Sequence, residues 1–583
     1  MTWSGAVPRH VHHVLLQRNL TGRAVMAISV ICDHLRSHCT LIVPIYAVLL
    51  QVPSADSRTA MIMRIPSEDD GGQAINPAPG SLWQWLLANG ISNKDEDRGY
   101  RRAFSVLHQP SQYLSGLIDS KTDSHQPDYF SWSYKSLASS AENLAALWFH
   151  EGIQAGDHVF TFVDNSAEWS VFFWTCMRLG AVFVPLDPAL VRRREELQWL
   201  RESLKPAVVL TQDHNSAKHY QSCCSNDENE KFKVFGNNNL DQSEDTLPGW
   251  RALQNLSARK ELPPAPHFEG DPYSSTSLIM FTSGTAHRPK GCPVTVAGMA
   301  AQIDQYHQFH GSQWTKDVRF LINTNNFRPI CYLGAMNTWR AGGCVIFPST
   351  TFAPEASIKA INSLHCTHTW AVPAQLRILY SFMESQHKGD SIPEMQAPST
   401  LKYVLTSGDV ADEVTIAKGK AALQPDSLVA SWGMSECAPL FGCRTEDSIP
   451  TSDRGLRSVG WALAGTAVRI VDPEKQCVLP RGQRGALHVS SPQALIHHYM
   501  DNANSEDFYD DEKSGRRWFV TGDTAYMDDS GAIFIAGRTK DIIKCKAFGI
   551  VPSIVEDYLD QTFDVEVCCT HAKFLDNREK KLS

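Results

Sequence analysis

Apolar residues of this chain recur at helical and then at strand spacing from about residue 134 onward. Between Tyr134 and Gly152 (YKSLASSAENLAALWFHEG), Leu137, Leu144, Leu147 and Trp148 share one helical face and Gly152 closes the run, which predicts an amphipathic helix. His158 to Val163 (HVFTFV) reads as a strand, residues 165–180 as a second helix, and Ala181 to Leu186 (AVFVPL) as a second strand. Ala189 to Leu204 is a charged amphipathic helix and Ala207 to Leu210 a buried strand. Helices alternating with short β-branched blocks predict parallel βαβ units and an α/β layered fold. Residues 213–248 interrupt the alternation with SNDENE and GNNNLDQSED, and their polarity predicts a variable surface loop. Alternation resumes at Ser277, with strands expected at 319–324, 344–348, 368–372, 403–406 and 428–432. After about residue 466, AVRIVD, GALHVSS, FVTGD and GAIFIAG are separated by Gly and Asp turns, which predicts a β-rich subdomain.

Composition narrows the function classes. The 583 residues are 43% hydrophobic and 20% charged, which excludes a disordered or fibrous chain. With 54 Lys plus Arg against 63 Asp plus Glu, net charge is −9, so no global basic field attracts nucleic acid or an anionic membrane. A local phosphate site needs only one Lys and a few backbone N–H groups. The 15 cysteines are scattered without a C-x-x-C; even the adjacent pairs Cys223-Cys224 and Cys568-Cys569 lack zinc-ligand spacing. They read as small hydrophobes of a reducing compartment, and no structural metal is expected. The longest apolar stretch, Cys39 to Val52, has 14 residues with Pro44 inside, short of the about 20 a membrane helix needs. Arg9, Arg18 and Arg23 precede the first acid, Asp33, a weak transit-like pattern. The terminal KLS is no peroxisomal signal, and the expected location is cytoplasmic.

Five segments carry candidate chemistry. In Ser277 to Gly291 (SLIMFTSGTAHRPKG) an apolar strand runs into Thr282-Ser283-Gly284-Thr285 and closes on Pro289-Lys290-Gly291. Small residues let the backbone turn sharply and aim N–H and O–H donors inward, while Lys adds charge; that equipment holds a polyphosphate. It is not the G-x-x-x-x-G-K-[ST] loop, because Pro289 and Gly291 stand where its second Gly and its hydroxyl belong. Leu405 to Asp409 (LTSGD), Leu428 to Glu436 (LVASWGMSE) and Val520 to Asp523 (VTGD) each end a strand in Gly and an acid or hydroxyl. Ile535 to Lys546 (IAGRTKDIIKCK) groups Arg538, Lys540, Lys544 and Lys546.

In this order the segments resemble the adenylate-forming (AMP-binding) superfamily of acyl-CoA synthetases, aryl-CoA ligases, luciferases and peptide-synthetase adenylation domains. TSGTAHRPKG resembles its phosphate loop, SWGMSE its YGxTE motif, TGD and GRTKDIIK its ribose and hinge motifs, over about 134 to 556. The resemblance implies a carboxylate–CoA ligase of secondary or lipid metabolism, with ATP, Mg2+ and coenzyme A. It implies that Thr282, Ser283, Thr285 and Lys290 hold the β- and γ-phosphates and that Gly284 and Gly291 shape the loop. Trp432 and Gly433 would flank adenine with Gly408 and Asp409 along it; Ser435 would donate to phosphate. Glu436, with Thr285, would hold Mg2+. Asp523 would accept from the ribose hydroxyls, reinforced by Arg538. Lys540 matches the hinge, and Lys544 the position that reaches nucleotide or CoA.

The chain also departs from that pattern. Ala286-His287 replaces Thr-Gly, Asn325-Asn326-Phe327 the aromatic-His segment beside the acyl pocket, and Ala547 the glycine after the lysine pair. Only 43 residues follow Lys540, against on the order of 100 for the family's small domain, and they carry no counterpart of its late catalytic lysine. Weak or absent adenylation by the chain as written is the expectation, with nucleotide binding retained. The expected fold is a large multi-subdomain α/β domain with a β-rich subdomain, plus a truncated α+β domain. The divisions are 1–75, an N-terminal extension; 76–539, the large AMP-binding domain; and 540–583, a shortened lid. Phe327, Trp339 and Trp370 are candidate acyl-pocket residues, although a buried core explains them nearly as well. Two alternatives stand beside the ligase: a non-catalytic nucleotide- or acyl-binding member of the family, and an α/β-hydrolase using Ser435, since Gly433 to Cys437 nearly matches G-x-S-x-G.

Overall fold

The computed structural model describes residues 66–72, 79–90, 101–118, 127–223, 229–236, 247–259, 261–282, 289–386, 400–409, 411, 413–443, 450–452, 456–500 and 505–539, with strand segments at 16–18, 24–26, 543–545, 548–550, 572–575 and 579–582. The chain divides into two units: a larger one of Asp69–Val468 and Val489–Phe519, and a smaller one of Met1–Glu68, Arg469–His488 and Val520–Ser583.

In the larger unit, β1 (Arg102–Pro110) and β2 (Tyr129–Ser133) pair antiparallel. Ser133 then starts α1 (Tyr134–His150), its hydroxyl accepting from the Ser136 N–H at 3.1 Å, which satisfies one of the free donors of the first turn. Leu137, Leu144, Leu147 and Trp148 are buried, as their spacing predicts. β3 (His158–Phe162) leads to α2 (Ala167–Leu179), buried along all 13 residues. A helix with no exposed face belongs between layers. Its Trp169, Phe173 and Trp174 rings lie 6.3, 6.0 and 5.5 Å from that of Trp339.

β4 (Val182–Pro185), α3 (Arg194–Leu204) and β5 (Val208–Thr211) follow. The helix expected from Ala189 is preceded by a separate 3-10 turn at Pro188–Arg192, which Asp187 caps by accepting from the Ala189 N–H at 2.9 Å. The polar stretch 213–248 corrects the expectation of a loop. α4 (His214–Cys223) buries Ala217 and Tyr220, and β6 (Phe232–Phe235) pairs parallel with β5. Two apolar residues one turn apart and one alternating Phe-Lys-Val-Phe are enough to anchor both, and the surrounding polar letters hide them. Even Glu230 within that stretch is buried, taking hydrogen bonds from Arg201 Nε at 2.7 Å and the Tyr220 hydroxyl at 2.6 Å.

β7 (Trp250–Ala252), β8 (Thr276–Thr282) and β9 (Lys290–Thr295) complete a sheet of order β7-β6-β5-β3-β4-β8-β9, parallel except for the β8–β9 pair. The second half of the unit repeats the alternation. α5 (Val296–His310), β10 (Arg319–Ile322), α6 (Pro329–Ala341), β11 (Cys344–Phe347) and α7 (Pro354–Leu364) come first. β12 (His368–Ala371), α8 (Pro373–Gln386), β13 (Tyr403–Thr406), α9 (Glu413–Leu423), β14 (Ser427–Met434), β15 (Cys437–Gly442) and β16 (Trp461–Ala462) follow. Their sheet has the order β16-β15-β14-β13-β12-β10-β11-β1-β2 and is parallel from β14 to β1. β3 and β10 each have their next two parallel strands on opposite sides. Such reversals leave a crevice at the carboxyl ends of the strands.

The β-rich tail is present as β17 (Ala467–Val471), β18 (Gly485–Ser490), β19 (Phe508–Asp511), β20 (Arg516–Met527) and β21 (Ile533–Arg538). In the larger unit, β19 pairs with the first part of β20, from Phe508↔Phe519 to Asp511↔Arg516. In the smaller unit, the rest of β20 pairs with β21, from Asp523↔Arg538 to Met527↔Ile533. β22 (Ile543–Cys545) lies further on. Among the described residues no helix is long and apolar enough to cross a membrane.

Candidate active site

The β8–β9 hairpin places Thr282 opposite Lys290 and Phe281 opposite Gly291. Ser283, Gly284 and Thr285, between those strands, lie outside the described residues. Gly291 admits a close neighbour: a Cβ there would stand 2.5 Å from the Met500 sulfur. Lys290 is half-buried, its Nζ 4.7 Å from the centre of the Tyr499 ring and 3.5 Å from Asp507 Oδ2.

The SWGMSE segment is the β14–β15 hairpin. Met434 pairs with Cys437, so Ser435 and Glu436 form a two-residue turn, and the register shifts between Trp432 and Met434, around Gly433. Trp432 is half-buried against Phe441, ring centres 5.1 Å apart. Glu436 is 4% exposed. Its carboxylate Oε1 accepts from the Tyr499 hydroxyl at 2.6 Å, and its main-chain carbonyl accepts from the Ile496 N–H at 2.9 Å. Burial, and then the adjacent Glu436 charge, push the Tyr499 hydroxyl far above its usual range, so it remains a donor at every working pH. The buried Cys292 thiol is likewise pushed up by burial first and by Glu436 second, which makes it an inert neighbour. Ser435 lies between two antiparallel strands, whereas a nucleophile elbow needs a strand running into a helix. The hydrolase alternative therefore loses its structural context.

Lys290 and Glu436 thus converge on Tyr499, and Asp507 completes the set. Neither Tyr499 nor Asp507 stood out in the sequence, since they lie 63 and 217 positions from their partners. A tyrosine after the paired His497-His498, just before a turn-rich segment, was the sole local cue.

At the ends of the parallel strands, Gly408 follows β13 with φ +91°, a left-handed conformation suited to glycine, and Asp409 is exposed. After β10, Asn326 is buried and donates through Nδ2 to the Val163 carbonyl at 2.9 Å. Phe327 is half-buried under the Arg328 guanidinium, 5.6 Å from the ring centre. Trp339 and Trp370 are core residues. Trp339 is 0% exposed and donates to the Ala103 carbonyl at 3.1 Å; Trp370 packs against Tyr306, Trp314 and Phe320. Their size and apolarity serve the interior, which favours the core reading that the sequence leaves open beside an acyl pocket.

In the smaller unit, the cross-strand partners Asp523 and Arg538 form an ion pair of 3.1 Å. Arg538 also donates to the Thr521 carbonyl at 2.9 Å, and the Asp523 N–H donates to the Thr521 hydroxyl at 3.0 Å. Gly522, between them, has φ +76°. Lys544 belongs to β22, while Lys540 lies outside the described residues.

Comparison with known proteins places these features in a family. Residues 118–499 match the model of the AMP-binding enzyme. An acyl–CoA ligase of Pestalotiopsis microspora is 26% identical over 522 residues, covering 86% of this chain and 85% of that protein. The acyl-CoA ligase sidI of Aspergillus fumigatus is 24% identical over 484 residues, covering 75% and 73%. Among solved structures, the anthranilate CoA ligase AuaEII in complex with anthranoyl-AMP superposes with a TM-score of 0.66 at 18% identity, covering 86% of each chain. ATP-bound MatB from Rhodopseudomonas palustris gives 0.64 at 18% identity, with 85% and 86% covered. The structural likenesses establish the large α/β fold of adenylate-forming enzymes.

Proposed function

The chain belongs to the AMP-binding enzyme family, and from that premise we propose that it is an ATP-dependent carboxylate–CoA ligase. The observation that carries the reading is the convergence of the Lys290 ammonium and the buried Glu436 carboxylate on Tyr499, beside the phosphate-loop hairpin. In the reaction, an oxygen of a small carboxylic acid attacks the α-phosphorus of ATP, the bond to the β-phosphate oxygen breaks, and pyrophosphate leaves. The thiol of CoA then attacks the acyl carbon, and AMP departs with the electron pair of the broken mixed-anhydride bond.

Bringing a carboxylate to a triphosphate costs about 4 kcal/mol per unit-charge pair at about 4 Å and an effective dielectric of about 20. Cations and oriented donors offset that cost. Lys290 supplies a full charge, and Thr282 borders it at the strand end; Ser283, Gly284, Thr285, Gly291 and Ser435 complete the phosphate set. The half-buried face of Trp432 suits an adenine plane, with Gly433, Gly408 and Asp409 along its edge. Asp523, oriented by Arg538, is suited to accept from ribose hydroxyls. Lys540 and Lys544 are proposed for the hinge and the thioester step. No group of three or more His, Cys, Asp or Glu is gathered for a metal among the described residues. A cation that arrives with the triphosphate would take a hard oxygen from Glu436, and Thr285 offers another. Mg2+ fits that donor chemistry and would neutralise phosphate charge.

The test is carboxylate-dependent ATP–pyrophosphate exchange and CoA-thioester formation by the full-length protein across aliphatic and aromatic acids. Binding of MgATP and weak exchange with one class of acid are expected. Silence with every acid, together with no binding of MgATP, would refute the reading.

A further inference from the structure

We propose that Tyr499 is a positioning residue that holds the Glu436 carboxylate and the Lys290 ammonium in fixed relation through one ring. Its kinetic consequences rest on the ligase reading above; its geometry does not. The phenol donates to Glu436 Oε1 at 2.6 Å, and Lys290 Nζ lies 4.7 Å from the centre of the same ring. The segment carrying Tyr499 is tied to the Glu436 turn a second time, through the Ile496 N–H and the Glu436 carbonyl at 2.9 Å. One tether fixes the main chain and the other the carboxylate. Phe508 and Phe519, with ring centres 5.7 and 6.5 Å from that of Tyr499, wall the ring in place.

The choice of a phenol has a physical reason. A buried carboxylate requires a donor, and a phenol hydroxyl supplies one without adding charge. An Arg or Lys in its place would compete with a cation for the same oxygens. The face of the ring attracts the ammonium by a weak cation–π contact, and Asp507 holds that ammonium from another side at 3.5 Å. Lys290 is thereby kept at the site by forces that a triphosphate readily outbids. Tyr499 acts on the nucleotide and metal terms of the reaction and leaves recognition of the carboxylic acid alone.

The experiment compares wild type, Tyr499→Phe and Tyr499→Leu as full-length proteins in pyrophosphate exchange. Tyr499→Phe keeps the ring and loses the tether. It is expected to raise both the Mg2+ concentration for half-maximal rate and the KM for ATP by about tenfold, with the KM for the carboxylic acid changed less than about twofold. Tyr499→Leu also loses the contact with the ammonium and raises the ATP KM further. A uniform change in kcat and every KM, with a lowered Tm, would mean a merely structural residue and overturn the proposal. A cycle of Tyr499→Phe, Glu436→Gln and the double variant, read by urea unfolding, needs no turnover. Non-additive stabilities support the clamp even if the wild type ligates no acid tested, and additive ones overturn it even if the enzyme is active.

Discussion

Replacing His368 by Phe should flatten the acid sensitivity of the larger unit. His368 begins β12 and is 2% exposed, its ring centre 5.1 Å from Trp314 and 5.5 Å from Tyr403. Burial lowers its pKa from 6.5 to about 4; a hydrogen bond with the Gln313 backbone offsets part of that, and the Lys402 charge adds to the lowering. Below pH 6.5 the unfolded chain binds a proton that the folded chain refuses, so stability falls as pH drops and the loss levels off below about pH 4. At about 1.4 kcal/mol per pKa unit, this one residue removes about 2 kcal/mol between pH 7 and pH 5, and about 3 kcal/mol at the limit. Urea unfolding followed by tryptophan fluorescence measures it, because Trp314 and Trp370 sit in the same cluster. Comparing the loss from pH 7 to pH 5 in wild type and variant cancels whatever the larger ring does to packing. The variant should lose about 2 kcal/mol less than the wild type. An equal loss in the two proteins would overturn this account and show that His368 takes up its proton equally readily in the folded and the unfolded chain.

Three further outcomes are expected. Lys290→Ala should lower pyrophosphate exchange by about 10² to 10³-fold, the usual consequence of losing one charge donor to the transition state, with an unchanged far-UV circular dichroism spectrum. Asp523→Asn keeps the shape of the side chain but removes the charge paired with Arg538 at 3.1 Å. An increase of about tenfold in the ATP KM is expected, read by initial rates at saturating carboxylic acid. Gly460→Ala should unfold the protein or leave it insoluble. Gly460 has φ +95° and its added Cβ would stand 2.0 Å from the Gly442 carbonyl oxygen, a collision with backbone that β15 cannot relieve; expression and a thermal melt decide it.

Much of the architecture was legible along the chain. The spacing of Leu137, Leu144, Leu147 and Trp148, and the five apolar blocks from 319 to 432, mapped onto α1 and onto β10 to β14 within a few residues. The reading failed where polarity was taken for exposure, as with Glu230 inside the SNDENE stretch, and it left open, for Trp339, the choice between pocket and core that full burial tips toward the core.

Letters close in sequence determine dihedral preference and which face of an element is apolar, because both depend on neighbours one turn or one pleat away. That sufficed for the alternating α/β fold and for the strands that run into the Thr282 and SWGMSE segments, while the returning strands β9 and β15, which make hairpins of them, were not read from the letters. Which side chains meet across elements was decided by strand order and register. Tyr499 reaches Glu436, and Asp507 reaches Lys290, only after two sheets and the β19–β20 hairpin have folded. A hydrogen bond acts over about 3 Å, and no local pattern specifies a distance that short between residues so far apart in the chain. Lys290 and Glu436 were readable in the sequence, whereas Asp507 and the ring that joins them emerged from the packing.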